Sequence, residues 1–277
     1  AYSDTVLRQM LALVPRYEFD ALAANHHSGQ KFRSFNRWSQ FLAMLVGQLA
    51  GRKSLRDITD NLQAQDKRLY HLGMKRTTKA TLARVNAEQP ASLYQTLFNR
   101  LLHRCQLVAP KHKFSFKGKL YLLDATVVNL CLAAFPWAEF RQKKGAIKLH
   151  VGLDAGGYLP VFMDMTKGKE HEINWARNLR FPKGSFVCTD RGFTDYRWYS
   201  ELTTNSIFFV SRLKSNADVQ YLLKRAGRKS LGITNDQTIR LKGVEQPLRL
   251  VAYTDPATGI DYRFVTNAHH LKARSEE

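Results

Sequence analysis

The chain has 277 residues, 44% of them hydrophobic and 24% charged, which is typical of a folded protein with a sizeable core and not of a disordered chain. Its 43 Lys and Arg residues outnumber 23 Asp and Glu residues, giving a formal net charge of +20 that favours a polyanion such as nucleic acid as partner. The longest apolar stretch, residues 41–51, is too short to cross a bilayer, which argues against an anionic membrane as the partner. The alternative explanation of the positive charge is a solvated basic surface without a nucleic-acid partner.

Residues 1–112 are predicted to form an all-α, DNA-binding N-terminal domain. Apolar residues at helical spacing predict helices over residues 7–14, 38–49, 55–62, 78–87 and 93–105. Gly51 breaks this pattern, and Ser54, with Asp57 three residues later, is predicted to cap the helix that follows.

Within this domain, two short helices, a turn containing Gly73 and a third helix are consistent with a helix-turn-helix. A plain helical bundle with a basic surface explains the pattern equally well. We expect the basic residues around this segment to contact DNA phosphates: Arg52, Lys53, Lys75, Arg76, Lys79 and Arg84.

After Pro110 the pattern changes to strands. The order over residues 113–212 is β-β-β-α-β-α-β, which is the order of a ribonuclease-H-like catalytic core. Residues 213–277 add further strand patterns and are predicted to be a β-rich insertion followed by the start of a C-terminal core segment. The predicted fold class is therefore α/β: a ribonuclease-H-like mixed sheet core with a β-rich insertion, preceded by an all-α N-terminal domain.

Two acidic residues, Asp124 and Asp190, each end a predicted buried strand. If the first and fourth strands are parallel neighbours, the two carboxylates lie about one strand spacing apart, roughly 5 Å. Carboxylates this close repel each other unless a cation lies between them, and Mg²⁺ or Mn²⁺ suits such oxygen ligands. Taken singly, each residue is better explained as an ordinary strand-end or cap residue, so the prediction depends on the pair.

Other polar groups carry weaker signals. Lys143, Lys144 and Lys148 could line a path for DNA or be ordinary surface charge. The histidine-containing clusters at residues 26–27, 170–172 and 269–270 lack the ligand spacing of zinc sites. Asp154 is interpreted as a hairpin-turn residue. The three cysteines, at positions 105, 131 and 188, are interpreted as buried small hydrophobes in a reducing cytosol.

The sequence resembles the DDE transposases, in particular the bacterial branch typified by insertion sequence 4. The resemblance rests on residues 121–126 (YLLDAT), 147–151 (IKLHV), 189–193 (TDRGF) and 263–267 (RFVTN), with residues 37–41 and 51–57 similar to the helical domain of that branch. It implies that Asp124 and Asp190 are the first two catalytic acids and hold Mg²⁺ or Mn²⁺. It also implies double-stranded DNA partners, namely terminal inverted repeats and target DNA, and it allows a homodimer in the DNA complex.

The sequence differs from this family in one respect. In the family a third acid lies on a later helix with the signature Tyr, two residues, Arg, three residues, Glu, six residues, Lys, and this sequence ends at Glu277 without it. We therefore expect a catalytic set truncated before its third acid, in a chain that binds DNA and cleaves it poorly. The alternatives left open are a non-catalytic DNA-binding relative that competes at element ends, and a structure-selective nuclease on the same core.

Overall fold

A computed structural model of the chain describes residues 5–29, 35–114, 116–130, 139–141, 144–225 and 232–271. The chain divides into two compact units between Cys105 and Gln106. The break falls near the predicted end of the N-terminal domain at residue 112, within the last turns of a long helix. The further division of the second part into a core and an insertion stays a prediction.

The first unit is helical, as predicted. Its helices are α1 (Val6–Ala12), α2 (Arg16–Asn25), α3 (Arg37–Leu49), α4 (Leu55–Ala64), α5 (Asp66–Leu69), α6 (Lys79–Glu88) and α7 (Ser92–Val108). The Ser54 side chain accepts a hydrogen bond from the Asp57 amide at 3.1 Å, which confirms the predicted cap of α4. Gly51 has a φ of 62°, a left-handed conformation common just after the end of a helix. Glycine adopts it without the steric cost that a side chain would add.

Sequence patterning missed α2, because this helix presents only a narrow apolar stripe to the core. That core is nonetheless continuous across the unit. Phe19 of α2 packs edge-on against Trp38 of α3, with ring centroids 5.1 Å apart, and both Phe19 and Leu42 are fully buried. Burial of such aromatic and aliphatic side chains is what stabilises these short helices, since propensity alone would not.

The second unit is built around one ten-stranded sheet. Its strands are β1 (Leu120–Leu130), β2 (Glu139–Arg141), β3 (Lys144–Asp154), β4 (Leu159–Lys167), β5 (Phe186–Thr189), β6 (Phe208–Arg212), β7 (Val219–Lys224), β8 (Ile233–Leu241), β9 (Leu248–Thr254) and β10 (Asp261–Thr266). Two helices, α8 (Glu172–Ala176) and α9 (Tyr196–Thr204), complete it. The order β1 to β6 with these helices is the predicted one, apart from the short β2.

The strands lie in the order β2-β3-β1-β5-β6-β10-β9-β8-β7, with β4 also paired to β3. β1 and β5 are parallel neighbours, as the prediction for the two acids required. The strands of the predicted β-rich insertion, β7 to β9, continue the same sheet beyond β10. The fold class is confirmed: an α/β, ribonuclease-H-like sheet preceded by an all-α region.

Apolar side chains cover the two faces of the sheet unequally. One face carries a large buried cluster that includes Trp175 of α8 and Tyr199 of α9. The other face carries a small cluster around Leu120, Phe186 and Ala268. The face with the smaller cluster is the one on which the candidate site lies.

One sequence-based expectation about the cysteines is wrong. Cys105 lies in the exposed C-terminal half of α7, so it is not a buried hydrophobe, whereas Cys188 is largely shielded on β5. Cys131 lies outside the described residues. Among the described helices, none combines the length and apolar character needed to cross a membrane.

Candidate metal centre on two parallel strands

Asp124 and Asp190 occupy matching positions on neighbouring parallel strands. The pairing of β1 with β5 runs from Leu120 opposite Phe186 to Leu123 opposite Thr189. The next residue along the chain in each case is the acid. Asp190 comes directly after β5, as predicted, but Asp124 lies within β1, which continues to Leu130 because it stays paired with β3, so the prediction that Asp124 ends its strand is wrong. Adjacent strands lie about 4.8 Å apart, so the register brings the two acids to neighbouring positions across the β1–β5 pair.

The two side chains also share a face. Side chains alternate along a strand, so Asp124 follows the direction of Leu122, and Asp190 follows that of Cys188. The backbone of Asp190 is still extended, with φ −85° and ψ −173°, so the alternation holds up to this residue. Leu122 and Cys188 both pack in the small cluster on one face, which places both acids on that face.

The donor chemistry of the pair suits a hard divalent cation. Asp124 Oδ1 accepts the amide of Ala125 at 2.8 Å, and Asp190 Oδ1 accepts the amide of Gly192 at 2.9 Å. A carboxylate offers about four lone-pair sites, so each side chain is oriented through one oxygen and retains acceptor capacity on the other. Both residues are exposed to solvent, where an ion and its waters have access.

The two acids alone do not form a complete set of metal ligands. Within the described ranges, no group of three or more His, Cys, Asp or Glu side chains is arranged to hold a metal ion. Cys188, close in sequence to Asp190, is an unsuitable ligand because burial raises the pKa of its thiol to about 11. The pair fits Mg²⁺, which usually takes one or two carboxylates and completes its shell with water and phosphate.

Lys148 does not fit the predicted role of a DNA contact. Its side chain is buried, and its ammonium donates to Glu172 Oε1 at 2.8 Å and to the Glu170 carbonyl at 2.6 Å. The reason is its position in β3, on the face that α8 covers. Lys143 lies outside the described residues, and Lys144 begins β3, so their predicted DNA contacts stay predictions.

Glu172, for which the sequence predicts no role, lies next to this site. Burial alone would raise the pKa of Glu172, but the hydrogen bond and positive charge of Lys148 hold it below its ordinary value. No sequence spacing indicates the pair of Lys148 and Glu172, because a strand and a helix bring it together.

On the face of the sheet that carries Lys148, His150 is fully buried and stacks on Trp175 with ring centroids 5.0 Å apart. Burial, reinforced by Lys148, lowers the pKa of His150 and favours its neutral form.

The basic residues predicted to contact DNA in the helical unit are all exposed, namely Arg52, Lys53, Lys75, Arg76, Lys79 and Arg84. They do not form one cluster. The amide of Lys75 bonds Ser39 Oγ in the first turn of α3, whereas Arg52 and Lys53 follow the opposite end of that helix. A helix of this length spans roughly 20 Å, so Lys75 lies about that far from Arg52 and Lys53.

Several residues discounted from the sequence have structural roles. Asp154 Oδ1 accepts the amide of Gly156 at 2.9 Å, in keeping with the predicted turn after β3. His26 contacts Ser92 and Thr96, and His269 contacts Arg225. These bonds tie separate elements together and account for the histidines without a metal.

Comparison with known proteins gives two family matches. Residues 115–275, more than half of the chain, match the family described as Transposase DDE domain. Residues 2–75 match a family described as Domain of unknown function (DUF4372). The first match contains both Asp124 and Asp190.

Two curated proteins are similar to the chain. A protein of Sinorhizobium fredii (strain NBRC 101917 / NGR234) named "Putative transposase y4zB" is 24% identical over 164 residues, covering 58% of this chain and 45% of that protein. A protein of Geobacillus stearothermophilus named "Probable transposase for insertion sequence element IS5377" is 25% identical over 210 residues, covering 73% of this chain and 55% of that protein. The chain thus spans about half the length of the curated relatives it matches.

Proposed function

We propose, because this chain belongs to the family of transposase DDE domains, that it acts as an insertion-sequence transposase that cleaves and joins DNA at element ends. The observation that supports the proposal most directly is the β1–β5 register, which aligns Asp124 with Asp190. We further propose that these two carboxylates hold Mg²⁺ or Mn²⁺ and that double-stranded DNA is the partner. The double-stranded DNA in this proposal comprises the terminal inverted repeats of the element and the target DNA. We also propose that two copies of the chain bind it together.

Each protein group has a definite task in this proposal. Asp124 and Asp190 hold the cation, and the amides of Ala125 and Gly192 keep the two carboxylates oriented before DNA arrives. When bound, the divalent ion supplies activation of the attacking oxygen and stabilisation of the leaving oxygen in phosphodiester cleavage. Arg191, exposed and adjacent to Asp190, is suited to contact a phosphate of the bound strand.

Iron-directed radical cleavage tests the metal site and its role beside DNA. Fe²⁺ replaces Mg²⁺, and ascorbate with hydrogen peroxide then generates radicals that break bonds close to the bound ion. We expect breaks in the polypeptide near residues 124 and 190 and, with duplex DNA bound, breaks in the DNA. Asp124→Asn should remove both, whereas Glu201→Gln, a change in an exposed i,i+4 pair with Arg197, should leave them intact.

Other outcomes of this experiment separate the alternatives. Polypeptide breaks elsewhere, unchanged by Asp124→Asn, would contradict the site. DNA binding without any breaks near the two acids would instead favour a non-catalytic DNA-binding relative.

DNA binding should depend steeply on salt, since each Lys or Arg that neutralises a phosphate releases a counterion. If the predicted basic residues of the helical unit contact DNA, Lys53→Gln and Lys79→Gln should each reduce the slope of log K against log salt by about 1. Lys242→Gln, in the exposed turn after β8, is the charge-matched control. Fluorescence anisotropy with labelled duplex measures this, and binding that is equal at about 50 and 200 mM salt would refute it.

A further inference from the structure

An ion pair between the buried Lys148 and the partly buried Glu172 lies beside the candidate metal centre, on the opposite face of the sheet. Lys148 is only 8% exposed, and its ammonium bonds both the side chain of Glu172 and the main chain of Glu170. Through these bonds β3 holds the start of α8. A lysine is rarely buried unless it is paired, so the arrangement calls for an explanation beyond surface charge.

The pair reaches the turn that carries Asp190. A Cβ built on Gly192 would lie 3.4 Å from Glu172 Oε2 and 3.1 Å from Asp190 Oδ1. The Glu172 carboxylate therefore lies close to the same glycine whose amide donates to Asp190. Gly192 has no positive φ that would require glycine, and of the two carboxylates only that of Asp190 would lie closer to a Cβ than an ordinary contact.

We propose that Lys148 and Glu172 are positioning residues, which hold the turn at residues 190–193 and thereby orient Asp190 toward its cation. This role rests on the proposed function of Asp190 as a metal-holding residue. Glu172 acts through Gly192, whose amide bonds Asp190, and touches neither DNA nor the ion.

Electrostatics explain why both partners are needed. Glu172 is an anion next to the turn that carries a second anion, Asp190, and like charges at short range repel. The ammonium of Lys148 compensates the charge of Glu172 at 2.8 Å, so the glutamate supports the turn without competing for the cation. Loss of Lys148 leaves an uncompensated carboxylate beside Asp190, and loss of Glu172 leaves a buried ammonium and an unsupported glycine.

Two measurements on the whole chain test this role. The affinity for Mn²⁺ is measured by paramagnetic resonance of the free ion, and the exposure of residues 186–194 by amide hydrogen exchange. Glu172→Ala should weaken Mn²⁺ binding about 10–100-fold, the usual effect of losing an outer-shell residue, and should speed exchange in this segment selectively. Glu172→Gln, which keeps a hydrogen-bond acceptor for Lys148, should restore much of both properties.

Glu201→Gln is the matched control, because it changes a glutamate in an exposed pair on α9, and it should alter neither measurement. Wild-type Mn²⁺ affinity and wild-type exchange in Glu172→Ala would overturn the proposal. So would exchange that rises equally along the whole chain, since that result marks a general structural role. If the wild type binds no Mn²⁺, the proposed function fails. In that case, faster amide exchange confined to residues 186–194 in Glu172→Ala still shows that Glu172 holds the turn, and unchanged exchange shows that it does not.

Discussion

Asp236→Ala is expected to lower the free energy of unfolding of the sheet unit by about 3–5 kcal/mol, the usual cost of breaking a buried ion pair. Asp236 and Arg249 are both almost fully buried, 5% and 4% exposed. Two hydrogen bonds of 2.6 and 2.8 Å join the guanidinium to the carboxylate. Without the aspartate, a buried positive charge has no counterion.

The same arginine links β9 to the segment after β10. It donates to the carbonyls of Ala268 and Leu271, and Ala268 belongs to the small apolar cluster on the face of the two acids. The loss of Asp236 should therefore loosen this segment as well as the sheet.

Urea unfolding followed by circular dichroism measures the effect. Glu88→Ala, which breaks the exposed pair with Arg84, is the control and should change the free energy of unfolding by less than about 1 kcal/mol. The double replacement Asp236→Leu with Arg249→Met should recover much of the stability, since it removes both charges. A change as small for Asp236→Ala as for the control would show that the pair is not buried as described.

Asp124→Asn and Asp190→Asn are each expected to weaken Mn²⁺ binding by more than the roughly 10–100-fold typical of an outer-shell residue. Each replacement removes a negative charge and one carboxylate oxygen from a site with two acids aligned by the β1–β5 register. An asparagine side chain still accepts the amides that orient the acids, so the fold should be retained. Calorimetric titration with Mn²⁺ measures the loss, with circular dichroism as the check on folding.

Asp164→Asn is a suitable control for these two variants. Asp164 is an exposed acid on β4 that accepts the amide of Met165, a local bond much like that of Asp124 with Ala125. It should bind Mn²⁺ as the wild type does. Equal losses in all three variants would point to a general effect of negative charge and not to a defined site.

The placement of the two acids could be predicted from the sequence because local signals determine it. Short apolar runs before Asp124 and Asp190 indicate buried strands, and the order of strands and helices predicts which strands become neighbours. The length of β1 could not be predicted in this way, because its pairing with β3 extends it past Asp124 to Leu130. Helix boundaries followed for the same reason, since Ser54 and Thr78 cap their helices through bonds three residues away. For both caps the contact partner lies close in the sequence.

Contacts that depend on tertiary packing could not be predicted from local sequence patterns. Lys148 carries the same charge as Lys143 and Lys144 in the sequence, and only the packing of α8 on β3 shows that it is buried against Glu172. Arg249 and Asp236 are diagonal neighbours on β9 and β8, and nothing in either strand pattern predicts that register. The basic residues around Gly73 are near in sequence, yet α3 separates Arg52 and Lys53 from Lys75. The expectation about a third acid stays a prediction.

The most direct test of the account is a crystal of the chain soaked with Mn²⁺ and measured at a wavelength where manganese scatters anomalously. The account predicts an anomalous peak bonded to carboxylate oxygens of both Asp124 and Asp190, at roughly the 2.0–2.2 Å expected for small hard cations. A peak bonded to neither residue, or carboxyl groups too far apart to share one ion, would contradict it.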